Sequence, residues 1–184
     1  MAATTTTGDP AHGTTRRSFI KLSAATAAAL GTYGLLAWTP RAEGRDHAID
    51  LFVTAGESTM VDGRRVPVRT YSPADDGVSL PGPLMLVAER DRLRIAVTNT
   101  LDTAHGFAID GVVDSGPIAP GSTRVLDLVA PPAGTYLYQD PVDAPFNRLL
   151  GLHGALVTMP ADGTSTPYAG GPVFARQWLS LIHI

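Results

Sequence analysis

The sequence predicts an all-β domain, an antiparallel sandwich or barrel, behind a leader that is not part of the fold. Three observations carry this. Short apolar or alternating runs recur from Ile49 to Met159, broken by Gly, Pro, Asp and Asn. Prolines at 81, 83, 117, 120, 131, 132, 141, 145 and 160 fall between those runs, where they cannot interrupt a ladder. No apolar pattern of helical period and useful length follows Trp38.

Residues 1–42 read as the leader. Met1 to Gly13 is Thr/Ala/Gly-rich, with too little apolar surface to fold. Thr15-Arg16-Arg17-Ser18-Phe19-Ile20-Lys21 then matches the twin-arginine export signal, and the weakly apolar Leu22–Trp38 run follows it as a signal helix. Charge before an apolar run is the layout of a targeting segment. At 17 residues the run sits at the lower edge of bilayer-spanning length. No Ala-x-Ala site follows Trp38, so a cleaved signal and a retained membrane anchor are both compatible with it. The expected address is periplasmic or extracellular, reached through recognition of Arg16 and Arg17 by the export machinery.

Residues 43–160 read as one domain. Ile49 to Val53 alternates as a strand, and Asp62-Gly63 between apolar flanks marks a hairpin turn. Leu84–Ala88 is a short apolar strand. In Arg92–Val97, Leu93, Ile95 and Val97 face one way and the arginines the other, toward solvent. Thr123–Val129, Gly134–Tyr138 and His153–Met159 complete the set. In the Gly134–Tyr138 strand, Tyr136 and Tyr138 share one face and Leu137 is expected to enter the core from the other. In the last strand Ala155, Val157 and Met159 share a side. Residues 161–184 read as a Gly/Thr/Pro-rich linker and the truncated start of a following domain. The closing Leu-Ser-Leu-Ile-His-Ile is similar to a translated adapter read-through.

Composition excludes several function classes. The 184 residues are 44% hydrophobic and 17% charged, enough for one domain plus a targeting segment. The formal charge of −3 argues against nucleic-acid binding. The absence of cysteine excludes disulfides, thiolate zinc sites and a thiolate-ligated blue copper centre within these residues, and with the last an electron carrier of that kind. There is no Gly-x-Ser-x-Gly elbow and no phosphate loop. Asp110, Asp114, Asp140 and Asp143 lack the spacing of a calcium loop and read as solvated turns.

One ordered set of motifs remains. It runs Leu80-Pro81-Gly82-Pro83-Leu84, Glu89-Arg90-Asp91-Arg92-Leu93, Val97-Thr98-Asn99, Thr103-Ala104-His105-Gly106-Phe107, Asp110-Gly111 and Pro117-Ile118-Ala119-Pro120-Gly121. It closes with Gly134-Thr135-Tyr136-Leu137-Tyr138 and Gly151-Leu152-His153-Gly154-Ala155-Leu156-Val157. This order resembles the first cupredoxin domain of the multicopper oxidases, over Leu80 to Met159, and Arg176-Gln177-Trp178 resembles the start of the next domain. The resemblance implies a Greek-key cupredoxin sandwich, copper as cofactor and oxidoreductase chemistry in the full-length parent. It also implies further cupredoxin domains or other subunits as partners.

In that family the first domain supplies two His-x-His pairs to a trinuclear copper cluster, because four-electron reduction of dioxygen needs several coppers held by imidazole. The first pair maps onto His105-Gly106-Phe107 and the second onto Gln139-Asp140-Pro141. His105 is therefore the one candidate copper ligand, or else a structural histidine at a strand end. His153 occupies the variable position of Gly-Leu-x-Gly, and His12, His47 and His183 carry no assigned role. Two readings follow: a piece of an exported multicopper-oxidase-like protein with most of this domain's cluster ligands missing, or a non-enzymatic exported scaffold or binding module without metal.

Overall fold

The computed structural model describes residues 44–180. The leader, with Arg16, Arg17 and the expected signal helix, lies outside the described residues. Nine strands and one helical turn follow in chain order: β1 (Asp46–Thr59), β2 (Arg65–Ser72), β3 (Met85–Ala88), β4 (Arg92–Asn99), β5 (Ala108–Ile109), β6 (Val113–Asp114), β7 (Thr123–Val129), β8 (Gly134–Gln139), α1 (Phe146–Leu149) and β9 (His153–Met159). They build two sheets, ordered β2-β1-β4-β7 and β3-β9-β8-β5-β6. The chain passes repeatedly from one sheet to the other, as a Greek-key sandwich requires.

The sheets are mixed, whereas an antiparallel arrangement was expected. β1 runs parallel to β4, and β3 runs parallel to β9. The reason is connectivity. β2 and β3 intervene between β1 and β4, so the chain has room to return to the same end before pairing. The Asp62-Gly63 turn closes the β1–β2 hairpin, with Gly63 at a φ of 82°, where glycine is favoured. Pro67 is tolerated within β2 because β2 is an edge strand.

The alternation in β4 reads directly into burial. Leu93, Ile95 and Val97 join Leu51, Val53, Tyr71, Leu126 and Leu156 in the core between the sheets. Arg94 points outward, directly opposite Asp127 on β7. In β8 the expected facing is inverted. Tyr138 is fully buried and Tyr136 packs against the core, while Leu137 is only half-buried and stands outside that cluster. A tyrosine can take the inner face here because its hydroxyl finds a partner: Tyr138 Oη donates to the Pro83 carbonyl at 2.6 Å. All seven residues of β9 are buried, which suits a central strand between β3 and β8: Leu156 joins the core cluster, and Ala155, Val157 and Met159 are buried as well. Residues 160–180 form turns and extended chain with no strand or helix.

Candidate functional site

His105 sits in the connection between β4 and β5. An isolated bridge to Ile118 holds its backbone, with His105 N donating to Ile118 O at 3.2 Å and Ile118 N returning to His105 O at 2.6 Å. The side chain is buried, and both ring nitrogens are engaged. Nδ1 lies 2.7 Å from Asp140 Oδ2, and Nε2 lies 3.0 Å from Thr103 Oγ1. A carboxylate only accepts, so Nδ1 carries a proton and donates to Asp140, while the threonine hydroxyl stands at Nε2.

Asp140 is the hub. It is fully buried, contrary to the solvated turn expected of it, whereas Asp110, Asp114 and Asp143 are exposed as expected. Its two oxygens accept from four donors: His105 Nδ1, Gly106 N at 2.8 Å, Val142 N at 2.9 Å and Asn147 Nδ2 at 2.9 Å. That fills the accepting capacity of a carboxylate, the condition under which a buried charge is tolerated. Asn147, the buried residue of α1, also donates to the Val142 carbonyl at 2.8 Å and accepts from Arg69 of β2 at 2.8 Å. One carboxylate thus ties together β2, the β4–β5 connection, the β8–α1 connection and α1.

Phe107 shows why its position matters. It lies in the core with Tyr71 and Tyr138. The ring centroids are 5.3 Å apart and stacked for Phe107–Tyr138, and edge-on at 5.7 Å for Tyr71–Phe107 and 5.4 Å for Tyr71–Tyr138. Tyr71 Oη donates to the Gly106 carbonyl at 2.5 Å. Burial, then the negative charge of Asp140, pushes the Tyr71 hydroxyl pKa well up, and burial does the same to Tyr138, so both stay protonated donors. A side chain at Gly154 would run into the Tyr138 ring, so glycine there is a packing requirement.

The other mapped positions are scattered by role. Gln139 accepts from Arg148 at 3.3 Å, and Pro141 packs close to Gly106. His153 is buried, with Nδ1 donating to the Arg148 carbonyl at 3.0 Å. His47, given no role from sequence, pairs with Asp91 at 2.8 Å. A cleft of about 290 Å³ lined by Glu89, Arg90, Pro160, Ala161, Asp162 and Ala169 shares no residue with the His105 network.

No family model matches the chain. Among curated relatives, the copper-containing nitrite reductase of Rhizobium sullae is 30% identical over 151 residues, which cover 76% of this chain and 39% of that protein. Copper resistance protein A of Pseudomonas syringae pv. tomato is 31% identical over 161 residues, 78% of this chain and 25% of that protein. The chain therefore spans well under half the length of these relatives. Among solved structures, a multicopper oxidase superposes with a TM-score of 0.59 at 25% identity, over 68% of this chain and 47% of that one. The copper nitrite reductase of Nitrosomonas europaea gives 0.59 at 20% identity, over 67% and 45%.

The fold is the cupredoxin-type β-sandwich. The relatives' names support a multicopper oxidase/cupredoxin-like family, and copper by resemblance. The residues of this domain do not fit the copper cluster that resemblance implies. His105 has no free nitrogen, Phe107 is an apolar core residue, Gln139 is a weak copper donor and Pro141 offers none. Among the described residues no group of three or more His, Cys, Asp or Glu could hold a metal ion. Sequence reasoning missed Asp140, Asn147 and Arg69. Their pairing spans 7 and 78 positions, and nothing local marks it.

Proposed function

We propose that this chain forms the first cupredoxin domain of an exported multicopper-oxidase-like protein, and that the domain contributes scaffold rather than copper ligands. The single observation that carries the reading is the saturated His105–Asp140 pair. The residue at the ligand position is held by hydrogen bonds on both nitrogens, where a metal ligand keeps one free for the ion. Copper and oxidoreductase chemistry then belong to later domains of the polypeptide or to partner subunits. Export runs through Arg16 and Arg17, to the periplasm or beyond.

The test is to express the full reading frame, recover the folded product from the exported fraction and count copper per chain by elemental analysis. Copper should be present in the full product, and the count should be unchanged in His105→Gln. A loss of one copper per chain in that variant makes His105 a ligand and sinks the scaffold role. Arg16→Lys/Arg17→Lys should leave the protein unexported. A full product without copper selects the second reading, a metal-free exported module, which the mismatch at Phe107, Gln139 and Pro141 also favours.

A further inference from the structure

Thr103, His105 and Asp140 are joined by hydrogen bonds that run from the surface to the interior. Thr103 is exposed, while His105 and Asp140 are 1% and 0% exposed. The threonine Oγ1 lies 3.0 Å from His105 Nε2, and His105 Nδ1 lies 2.7 Å from Asp140 Oδ2. Other threonines of the domain use their hydroxyls differently: Thr54 and Thr100 each donate to a backbone carbonyl, at 2.6 and 2.7 Å. Each member of the trio is also fixed from outside it. Buried Asn99 donates to the Thr103 carbonyl at 2.7 Å and accepts from Leu101 N at 3.0 Å, which pins the loop that carries the hydroxyl. The bridge to Ile118 holds the His105 backbone. Gly106 N, Val142 N and Asn147 Nδ2 hold the Asp140 carboxylate, so it cannot turn away from the ring.

We infer that this trio is an acyl-transfer site, with Thr103 Oγ1 as nucleophile, His105 as general base and Asp140 as the positioning residue that orients the ring. A hydroxyl within hydrogen-bond reach of a base, the base itself oriented by a third group, is the arrangement that activates a weak nucleophile. With the Nδ1 proton directed at Asp140, the neutral ring turns its Nε2 lone pair to the hydroxyl. The substrate class is an uncharged carboxylic ester with a good leaving group. Thr103 lies between Asp102 and Ala104, both exposed: the alanine leaves the approach open, and the carboxylate disfavours anionic esters. Thr103 Oγ1 bonds to the carbonyl carbon as its proton passes to Nε2. The ester C–O bond then breaks, and the leaving oxygen takes that proton. Water attacks the acyl-threonine by the same route, its proton passing through Nε2 to the threonine oxygen, which releases the carboxylic acid and restores the hydroxyl. The reaction uses neither copper nor an oxidant, so it stands apart from the proposed function.

The experiment incubates the 184-residue chain with p-nitrophenyl acetate, follows phenolate release and locates the acetylated position by peptide mass spectrometry. Acetyl should be found on Thr103, and Thr103→Val should lower the release rate by about ten-fold or more. Thr103→Ser should keep the rate and carry the acetyl at the same position. Because Thr103 is exposed, both variants should keep the Tm within about 2 °C of wild type, so the contrast between them reads the hydroxyl and not the fold. Asp140→Asn, measured on folded material, should lower kcat with KM unchanged, as loss of ring orientation requires. Equal release from wild type and Thr103→Val overturns the site. Acetyl on His105 or on another hydroxyl, with none on Thr103, overturns it as well.

Discussion

The molecule holds two histidine–aspartate pairs of nearly equal length, and they do different work. His47–Asp91 is 2.8 Å and His105–Asp140 is 2.7 Å. The first lies at the β3–β4 turn, where the histidine side chain keeps 15% of its surface exposed. There Asp91 accepts from Arg45 N and Ala88 N as well as His47, closing the start of β1 onto the turn before β4. The second lies in the interior, with side chains 1% and 0% exposed, and joins four segments of chain. Distance alone would rank the pairs as equals. Burial separates them, because an unmet polar group costs most where water cannot replace its partner.

The largest effect should therefore come from Asp140→Ala. It strips an acceptor from His105, Gly106, Val142 and Asn147 at once. We expect a loss of about 3–5 kcal/mol in unfolding free energy by denaturant titration. Asp140→Asn should recover little, since its amide would place two donors among the four donors already there. A loss below about 1 kcal/mol for Asp140→Ala would mean that the interior pair is no more than an ordinary contact. Phe107→His tests the same end of the sandwich from the apolar side. It recreates the His-x-His pattern of the resembling family, yet sets a polar ring in the Tyr71–Tyr138 stack. The expected result is a comparable loss of about 3 kcal/mol, with no copper gained by elemental analysis.

Much of the frame was legible because it obeys local rules. The alternation of Leu93, Ile95 and Val97, the Asp62-Gly63 turn and the proline punctuation each state a pleat or a turn within a few residues. What failed depended on partners distant in sequence. In Tyr136-Leu137-Tyr138 both parities carry apolar surface, so facing could not be read. It is decided by a hydroxyl that reaches Pro83, 55 positions earlier. Asp140 stands between Gln139 and Pro141, the dress of a surface turn, and its burial follows from His105, 35 positions away. β5 and β6 are two residues each, too short for a period. His105 could be singled out from its motif, but the buried network around it could not.

The turn pair should give a smaller and pH-dependent effect. Burial pushes the Asp91 carboxyl up, but backbone N–H donors of Arg45 and Ala88 together with His47 outweigh it and hold the group below its ordinary value of 3.8. Its stabilisation is therefore fully present above the unfolded value and is lost as pH falls through the lower folded value. Asp91→Asn should cost about 1–3 kcal/mol at neutral pH. The gap in stability between wild type and variant should stay level down to about pH 5 and close below pH 4. A gap that persists unchanged at pH 2 would show that packing, not the carboxylate charge, holds the turn. A matched double-mutant cycle on His105 and Asp140 should give the larger coupling of the two pairs.

The smallest effect sharpens the comparison from the outside. Arg94 and Asp127 face one another across β4 and β7 at 3.2 Å, with side chains 63% and 68% exposed. Here both charges keep their water, so neither partner is stranded when the other is removed. Arg94→Ala should shift stability by no more than about 0.5 kcal/mol, and that shift should vanish in 1 M salt, where exposed charges are screened within about 3 Å. The same salt should leave the cost of Asp140→Ala intact, since no ion reaches the interior pair. If salt erased both costs alike, the division between interior and surface pairs would fail, and the His105 network would have to be open to solvent and thus to metal.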